Sequence, residues 1–209
     1  MKLEKMGMGL YRLFIPFEDL TTTVYIVKSQ FGAAIIDSAT YPSDVDDYIL
    51  PALDALGLER DEIQYLLLTH AHGDHAGGIA RLSECIPKAV VRASFEHPLQ
   101  KEPLLSDGER LLDRLQVVSL PGHTQNSVGY LDLITNTLLS GDCLQLKGIG
   151  KYRNGVRYPE LYRQSIERVK QLGIDRIVAA HEYDPLGSIA EGKDAVLAYL
   201  QTCLDVLNQ

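Results

Sequence analysis

With 209 residues the chain is long enough for one well-packed domain and short for two. Apolar residues make up 45% of it and charged residues 23%, a globular balance that excludes a disordered chain. The net charge of −8 argues against a nucleic-acid or anionic-membrane binder, and Cys85, Cys143 and Cys203 are too few and too far apart for a disulfide framework.

Residues 1–209 are therefore expected to form a single domain. Neither the start of the chain nor any later stretch approaches the roughly 20 apolar residues that span a bilayer, so a cytoplasmic protein without membrane contact is the expectation. The N-terminal third reads as short strands. Thr22 to Val27 and Ala33 to Asp37 flank a Gln30-Phe31-Gly32 turn, a hairpin signal. A helix is expected from Ser43, as its cap, to just before Gly57, kinked or split by Pro51. Ile63 to Thr69 is an apolar run of strand length, helical spacing follows from His75 to Cys85, and Ala89 to Val91 reads as a strand. Leu115 to Leu120 and Val128 to Leu133 are expected strands on either side of Pro121-Gly122-His123, and Thr137 to Ser140 is another. Pro159 suits the first turn of a helix that stops at Gly173. Ile177 to Ala180 predicts a strand, and Ser188-x-x-Glu191 predicts the capping box of a last helix. Strands in each half with helices between them suit an α/β fold of two stacked sheets covered by helices.

One placement recurs. His70, Asp142 and His181 each end an apolar run, and His123 follows one within three residues. A rigid sheet holds side chains at strand ends while their tips reach an open edge. Within His70-Ala71-His72-Gly73-Asp74-His75, an extended backbone points His70 and His72 the same way, and Asp74 and His75 sit at a loop-to-helix junction. Imidazole and carboxylate donors so spaced are ligands for zinc, iron or manganese.

These segments resemble the metallo-β-lactamase superfamily across nearly the whole chain: Thr69 to Gly78, Pro121-Gly122-His123-Thr124, Ser140-Gly141-Asp142, His181 and the early Ile35-Ile36-Asp37. The resemblance implies a four-layer αβ/βα sandwich. It further implies that His70, His72 and His123 hold one divalent metal, that Asp74, His75 and His181 hold a second, and that Asp142 bridges them, zinc being the first choice with iron or manganese as alternatives. Asp rather than Cys at 142, and Glu182-Tyr183 after His181, resemble glyoxalase II-like hydrolases. The implied activity is hydrolysis of a small ester, thioester or lactone by water activated between the two metals, with Asp74 as the catalytic carboxylate. Gln125-Asn126 and Ser38-Ala39 depart from the common pattern at loop positions. Only 28 of the 209 residues follow His181, which implies a chain without the helical C-terminal domain of glyoxalase II and points away from glutathione thioesters.

After Asp142, Lys147, Lys151, Arg153 and Arg157 interleave with Tyr152 and Tyr158, a basic cluster able to hold a carboxylate or phosphate tail of a small-molecule substrate. Lys151 is the first candidate, by resemblance to a glyoxalase II lysine, with Tyr152 and Arg153 beside it. His97 is expected at the surface, Cys143 as an apolar filler and Tyr183 in the core or near the site. The runner-up is an iron persulfide dioxygenase, which shares the H-x-H-x-D-H pattern but differs in the loop after Asp142. A non-catalytic metal-binding module would be expected to lack a ligand, and none is missing.

Overall fold

Residues 1–17, 20–144, 155–183 and 187–208 are described by the computed structural model of the protein. The substrate candidates Lys151, Tyr152 and Arg153, with Lys147, lie outside them, as does the side chain of Tyr183. The chain divides into two compact units, Met1–Leu105 with Leu111–Arg114, and Ser106–Arg110 with Leu115–Gln209.

The first unit is built on a six-stranded sheet in chain order: β1 (Lys2–Gly7), β2 (Leu10–Phe17), β3 (Leu20–Ser29), β4 (Gly32–Ile36), β5 (Ile63–Leu67) and β6 (Val90–Arg92). β1 to β4 form an antiparallel meander, and β5 and β6 add in parallel. On one face Leu13, Ile15, Val24, Ile26, Ile35 and Leu66 pack with the helical residues Val45, Ile49, Leu53, Ile79 and Leu82. Tyr25, Val27, Ala34 and Ile36 alternate with them and are equally buried, which explains why these strands read as unbroken apolar runs.

The helix expected from Ser43 runs as α1 (Pro42–Asp44), a wider π turn over Val45–Ile49, and α2 (Leu50–Ala55). Ser43 is not its cap. Pro42 takes the first position, and Asp44 folds back to accept the amides of Thr40 and Tyr41 at 3.0 and 2.8 Å. The irregularity expected at Pro51 appears just before it, where the Leu50 amide reaches back to the Val45 carbonyl.

The second unit carries a six-stranded sheet ordered β12-β11-β10-β9-β8-β7. Its strands are β7 (Arg110–Leu111), β8 (Leu115–Ser119), β9 (Val128–Asp132), β10 (Thr137–Gly141), β11 (Arg176–Tyr183) and β12 (Gly187–Glu191). β10 and β11 are parallel, whereas β8–β9, β9–β10 and β11–β12 are antiparallel. Two helices of 13 residues, here α5 (Pro159–Gln171) and α6 (Lys193–Asp205), pack on it. Tyr162, Ile166 and Val169 form the helical stripe of the first, and burying each such side chain contributes about 1.5–3 kcal/mol.

The capping box expected at Ser188-x-x-Glu191 is overturned. Ser188 and Glu191 belong to β12, where the Ser188 hydroxyl donates to Glu182 at 2.8 Å and Glu191 accepts from Arg176 at 2.6 Å. The helix starts only after Gly192, whose φ of +88° ends the strand. Cys143 and Cys203 are fully buried, and burial pushes the Cys203 thiol up to about 12.

Candidate metal centre

In the first unit the candidate ligands follow from three parallel strand ends. Ile36 pairs with Leu67 and Leu67 with Arg92, so β4, β5 and β6 finish side by side. The Asp37 amide donates to Leu67 O at 2.8 Å, and the Leu68 amide donates to Arg92 O at 3.1 Å. Asp37 and Thr69-His70 therefore leave the sheet together at its carboxyl edge, where open α/β sheets place ligands. His72 precedes a four-residue helix, α3 (Gly73–Ala76), that carries Asp74 and His75, and the Thr22 hydroxyl on β3 holds the Asp74 carbonyl at 3.1 Å.

The side chains converge. His70 Nε2 lies 3.1 Å from His72 Nδ1, and the His70 and His75 rings are 4.2 Å apart. His75 Nε2 lies 3.3 Å from Asp74 Oδ2. His70, Asp74 and His75 are buried and His72 is half-buried.

Behind them sits Asp37, which the sequence reading placed only as part of a family segment. Its carboxylate accepts the Thr69 amide at 2.8 Å and the Thr69 hydroxyl at 2.9 Å, and it takes a hydrogen bond from His75 Nδ1 at 2.8 Å. Since the Thr69 hydroxyl gives its proton to Asp37, its oxygen accepts from His70 Nδ1 at 3.0 Å. Both imidazoles are thereby fixed as Nδ1–H tautomers with Nε2 lone pairs facing forward. His75 Nε2 and Asp74 Oδ2 are then two acceptors facing each other, an arrangement that a shared cation relieves. This donor chemistry fits zinc, iron or manganese.

The loop after Asp37 is welded to the helix that carries Asp74 and His75. The Ser38 amide and hydroxyl both donate to the His75 carbonyl, at 2.7 and 2.9 Å. Asp37 and Ala39 stand at φ of +64° and +60°, backbone that costs a non-glycine residue roughly 1–2 kcal/mol each. The departure at Ser38-Ala39 thus keeps a useful hydroxyl and accepts local strain.

The single helix expected from His75 to Cys85 is broken for the same reason. α3 ends at Ala76, and α4 (Ile79–Cys85) begins after Gly77-Gly78. A Cβ on Gly77 would lie 2.0 Å from the Thr40 carbonyl, and one on Gly78 would lie 2.2 Å from the Ser38 carbonyl. Gly77→Ala must displace backbone. It is expected to cost about 3 kcal/mol in denaturant unfolding and to lower the metal bound per chain. An unchanged midpoint and metal content would show that the close approach is dispensable.

In the second unit Asp142 follows Gly141, which pairs with Ala179 on the parallel strand β11, and His181 lies two residues further along that strand. His123 follows β8 across Leu120-Pro121-Gly122. All three side chains are buried. Asp142 Oδ2 lies 3.6 Å from His123 Nε2 and Asp142 Oδ1 lies 3.2 Å from His181 Nε2, so each carboxylate oxygen faces a different imidazole. Gln125-Asn126 form an exposed turn closed by Thr124 and Ser127, hydroxyl to hydroxyl at 2.8 Å. That departure leaves His123 in place.

The seven expected ligands are therefore gathered as four in the first unit and three in the second. His97 stands apart, half-buried, with Nδ1 accepting the Leu99 amide at 3.3 Å and its pKa lowered by desolvation.

Comparison with known proteins gives the family. The Metallo-beta-lactamase superfamily profile matches residues 18–181. A Bacillus subtilis protein, YobT, is 31% identical over 150 residues, 59% of this chain and 62% of its own length. A hydroxyacylglutathione hydrolase of Ectopseudomonas mendocina is 34% identical over 122 residues, 56% of this chain and 47% of its own length. The chain thus spans about half to two thirds of these two relatives. The structure of BJP-1, a subclass B3 metallo-beta-lactamase of Bradyrhizobium japonicum, superposes with a TM-score of 0.74 at 18% identity, covering 98% of this chain and 91% of that one. The expected α/β class is found, and the chain belongs to the metallo-beta-lactamase superfamily.

Proposed function

We propose that the two sets of ligands act as one dinuclear centre in a single domain, 1–209, which hydrolyses a small carboxylic ester, thioester or lactone. His70, His72 and His123 would hold one metal and Asp74, His75 and His181 the second, with Asp142 as the ligand they would share. The observation that carries this is Asp142, whose two oxygens address His123 and His181 separately, as a shared ligand requires. Relatives named hydroxyacylglutathione hydrolases support the reaction class. Two divalent metals, zinc first and iron or manganese as alternatives, supply Lewis acidity and lower the pKa of water.

The rest falls to the chain. Asp74 orients the attacking water and accepts its proton on a carboxylate oxygen. Asp37 and Thr69 hold His75 and His70 in one tautomer, so that no reorganisation accompanies the reaction. Burial of the ligands keeps competing water away from their donor atoms. An anionic group on the substrate is the part of the proposal that Lys151, Tyr152 and Arg153 carry from the sequence.

A panel of phenyl acetate, a γ-lactone, a glutathione thioester and a phosphodiester, run on protein of measured metal content, tests the reading. Hydrolysis of a carboxylic substrate, abolished by chelator and restored by zinc or manganese, is expected. Inertness of the fully metal-loaded protein, or oxygen uptake with a persulfide, would overturn it.

A further inference from the structure

The two long helices of the second unit leave a cleft where α5 ends and α6 begins. Val169 lines it from α5, Gly173 and Ile174 from the turn that follows, and Lys193, Val196 and Leu197 from α6. Its volume of about 150 Å³ is that of an apolar cavity able to take up a benzene ring. Val169, Ile174 and Val196 are buried, whereas Leu197 leaves a large apolar side chain exposed at the rim. Both ends of the cleft are pinned. Asn136 Nδ2 donates to the Gly173 carbonyl at 3.1 Å, and the Gly192 amide donates to the Asp175 carbonyl at 2.8 Å.

The rim is basic. Lys170 also lines the cleft and shares its ammonium with Glu167 at 2.8 Å, while Lys193 forms no ion pair among the described residues. The first turn of α6 has no side-chain cap, so its amides add to the positive potential there. The candidate metal ligands are remote from this place. Gly173 and Ile174 lead into β11 at Arg176, and His181 stands about 16 Å further along that strand.

We infer that the cleft binds a small apolar carboxylate of about the size of benzoate, with its ring or short chain among Val169, Ile174, Val196 and Leu197 and its carboxylate at Lys193. The assignment does not depend on the hydrolase reading. The buried floor takes the apolar part out of water, and the cationic rim, in a chain of net charge −8, selects an acid over its neutral analogue. Because the walls are already fixed by main-chain bonds, little order is lost on binding.

Methyl NMR of the full-length protein, titrated with benzoate and with the neutral benzamide, tests the site. Saturable shifts at the Val169, Ile174 and Val196 methyl groups are expected, with benzamide bound about fivefold more weakly. Lys193→Ala should weaken benzoate about fivefold and leave benzamide unchanged. Leu197→Glu places a like charge on the rim at an exposed helix position, and should remove benzoate binding while keeping the thermal midpoint. No shift at these methyl groups, equal affinity for the two probes, or benzoate shifts confined to residues around His123 and His181 would overturn the assignment. A dimer seen by sedimentation and dissociated by Leu197→Glu would also overturn it, since a second copy of the chain would then be the occupant.

Discussion

Asp142→Ala is expected to lower kcat/KM by at least about a thousandfold, roughly 4 kcal/mol of transition-state stabilisation, and to leave no more than one metal per chain. The reason is geometric. One oxygen of this carboxylate lies 3.6 Å from His123 and the other 3.2 Å from His181, so its removal takes a ligand from both proposed metals at once. No other acidic residue of the second unit sits between these imidazoles among the described residues. Asp142→Asn separates charge from shape. It keeps an oxygen toward one histidine but turns an amide nitrogen, a donor, toward the other, so one metal is expected to remain, more weakly held. Metal content by elemental analysis and turnover on the preferred ester read the two effects independently. Two metals with wild-type turnover in the alanine variant would remove Asp142 from the centre.

The sequence showed the candidate ligands more readily than what holds them. Apolar runs from Ile63 and from Thr137 end at His70 and Asp142, and strands formed where those runs predicted them. A six-residue motif with three histidines and an aspartate is visible in one dimension because its members are neighbours. Asp37 is the opposite case. Its partners Thr69 and His75 are 32 and 38 residues away, and a left-handed aspartate leaves no local pattern. The available signal was that an apolar run ending in an acid stands next to one ending in a histidine, but only the parallel register of β4 and β5 gives it meaning. Local rules failed where tertiary partners competed for the same side chains. Ser188 and Glu191 have capping-box spacing, yet Glu182 and Arg176 on the neighbouring strand claim them. Ser43 could cap a helix, but Asp44 folding back under Pro42 makes the start tighter. The helical spacing read from His75 to Cys85 ran straight through Gly77 and Gly78, and the break there appears only with the carbonyls of Thr40 and Ser38 beside them.

Asp37→Asn should be nearly as damaging as loss of a ligand, although Asp37 is not assigned to a metal. The asparagine oxygen can still accept the Thr69 amide, which leaves its NH2 group toward His75 Nδ1. Two donors cannot face each other at 2.8 Å, so His75 is driven to the tautomer with its proton on Nε2, where the ligand lone pair belongs. Metal affinity is expected to fall about 10- to 100-fold, the usual cost of losing the group that orients a ligating histidine. Thr69→Val supplies the comparison. It cuts the link from Asp37 to His70 but leaves the bond to His75 intact, so it should weaken the first metal and spare the second. Asp37→Asn should weaken both. Stability follows a separate course: with chelator present, so that metal binding does not contribute, Asp37→Ala leaves the Thr69 amide and His75 Nδ1–H buried without their acceptor, at about 1–3 kcal/mol each. Asp37→Gly should cost less than Asp37→Ala, because glycine accepts the φ of +64° without strain. Stepwise zinc titration of the wild type, Asp37→Asn and Thr69→Val decides the first claim. If Asp37→Asn and Thr69→Val weaken the same single site, Asp37 does not govern both histidines.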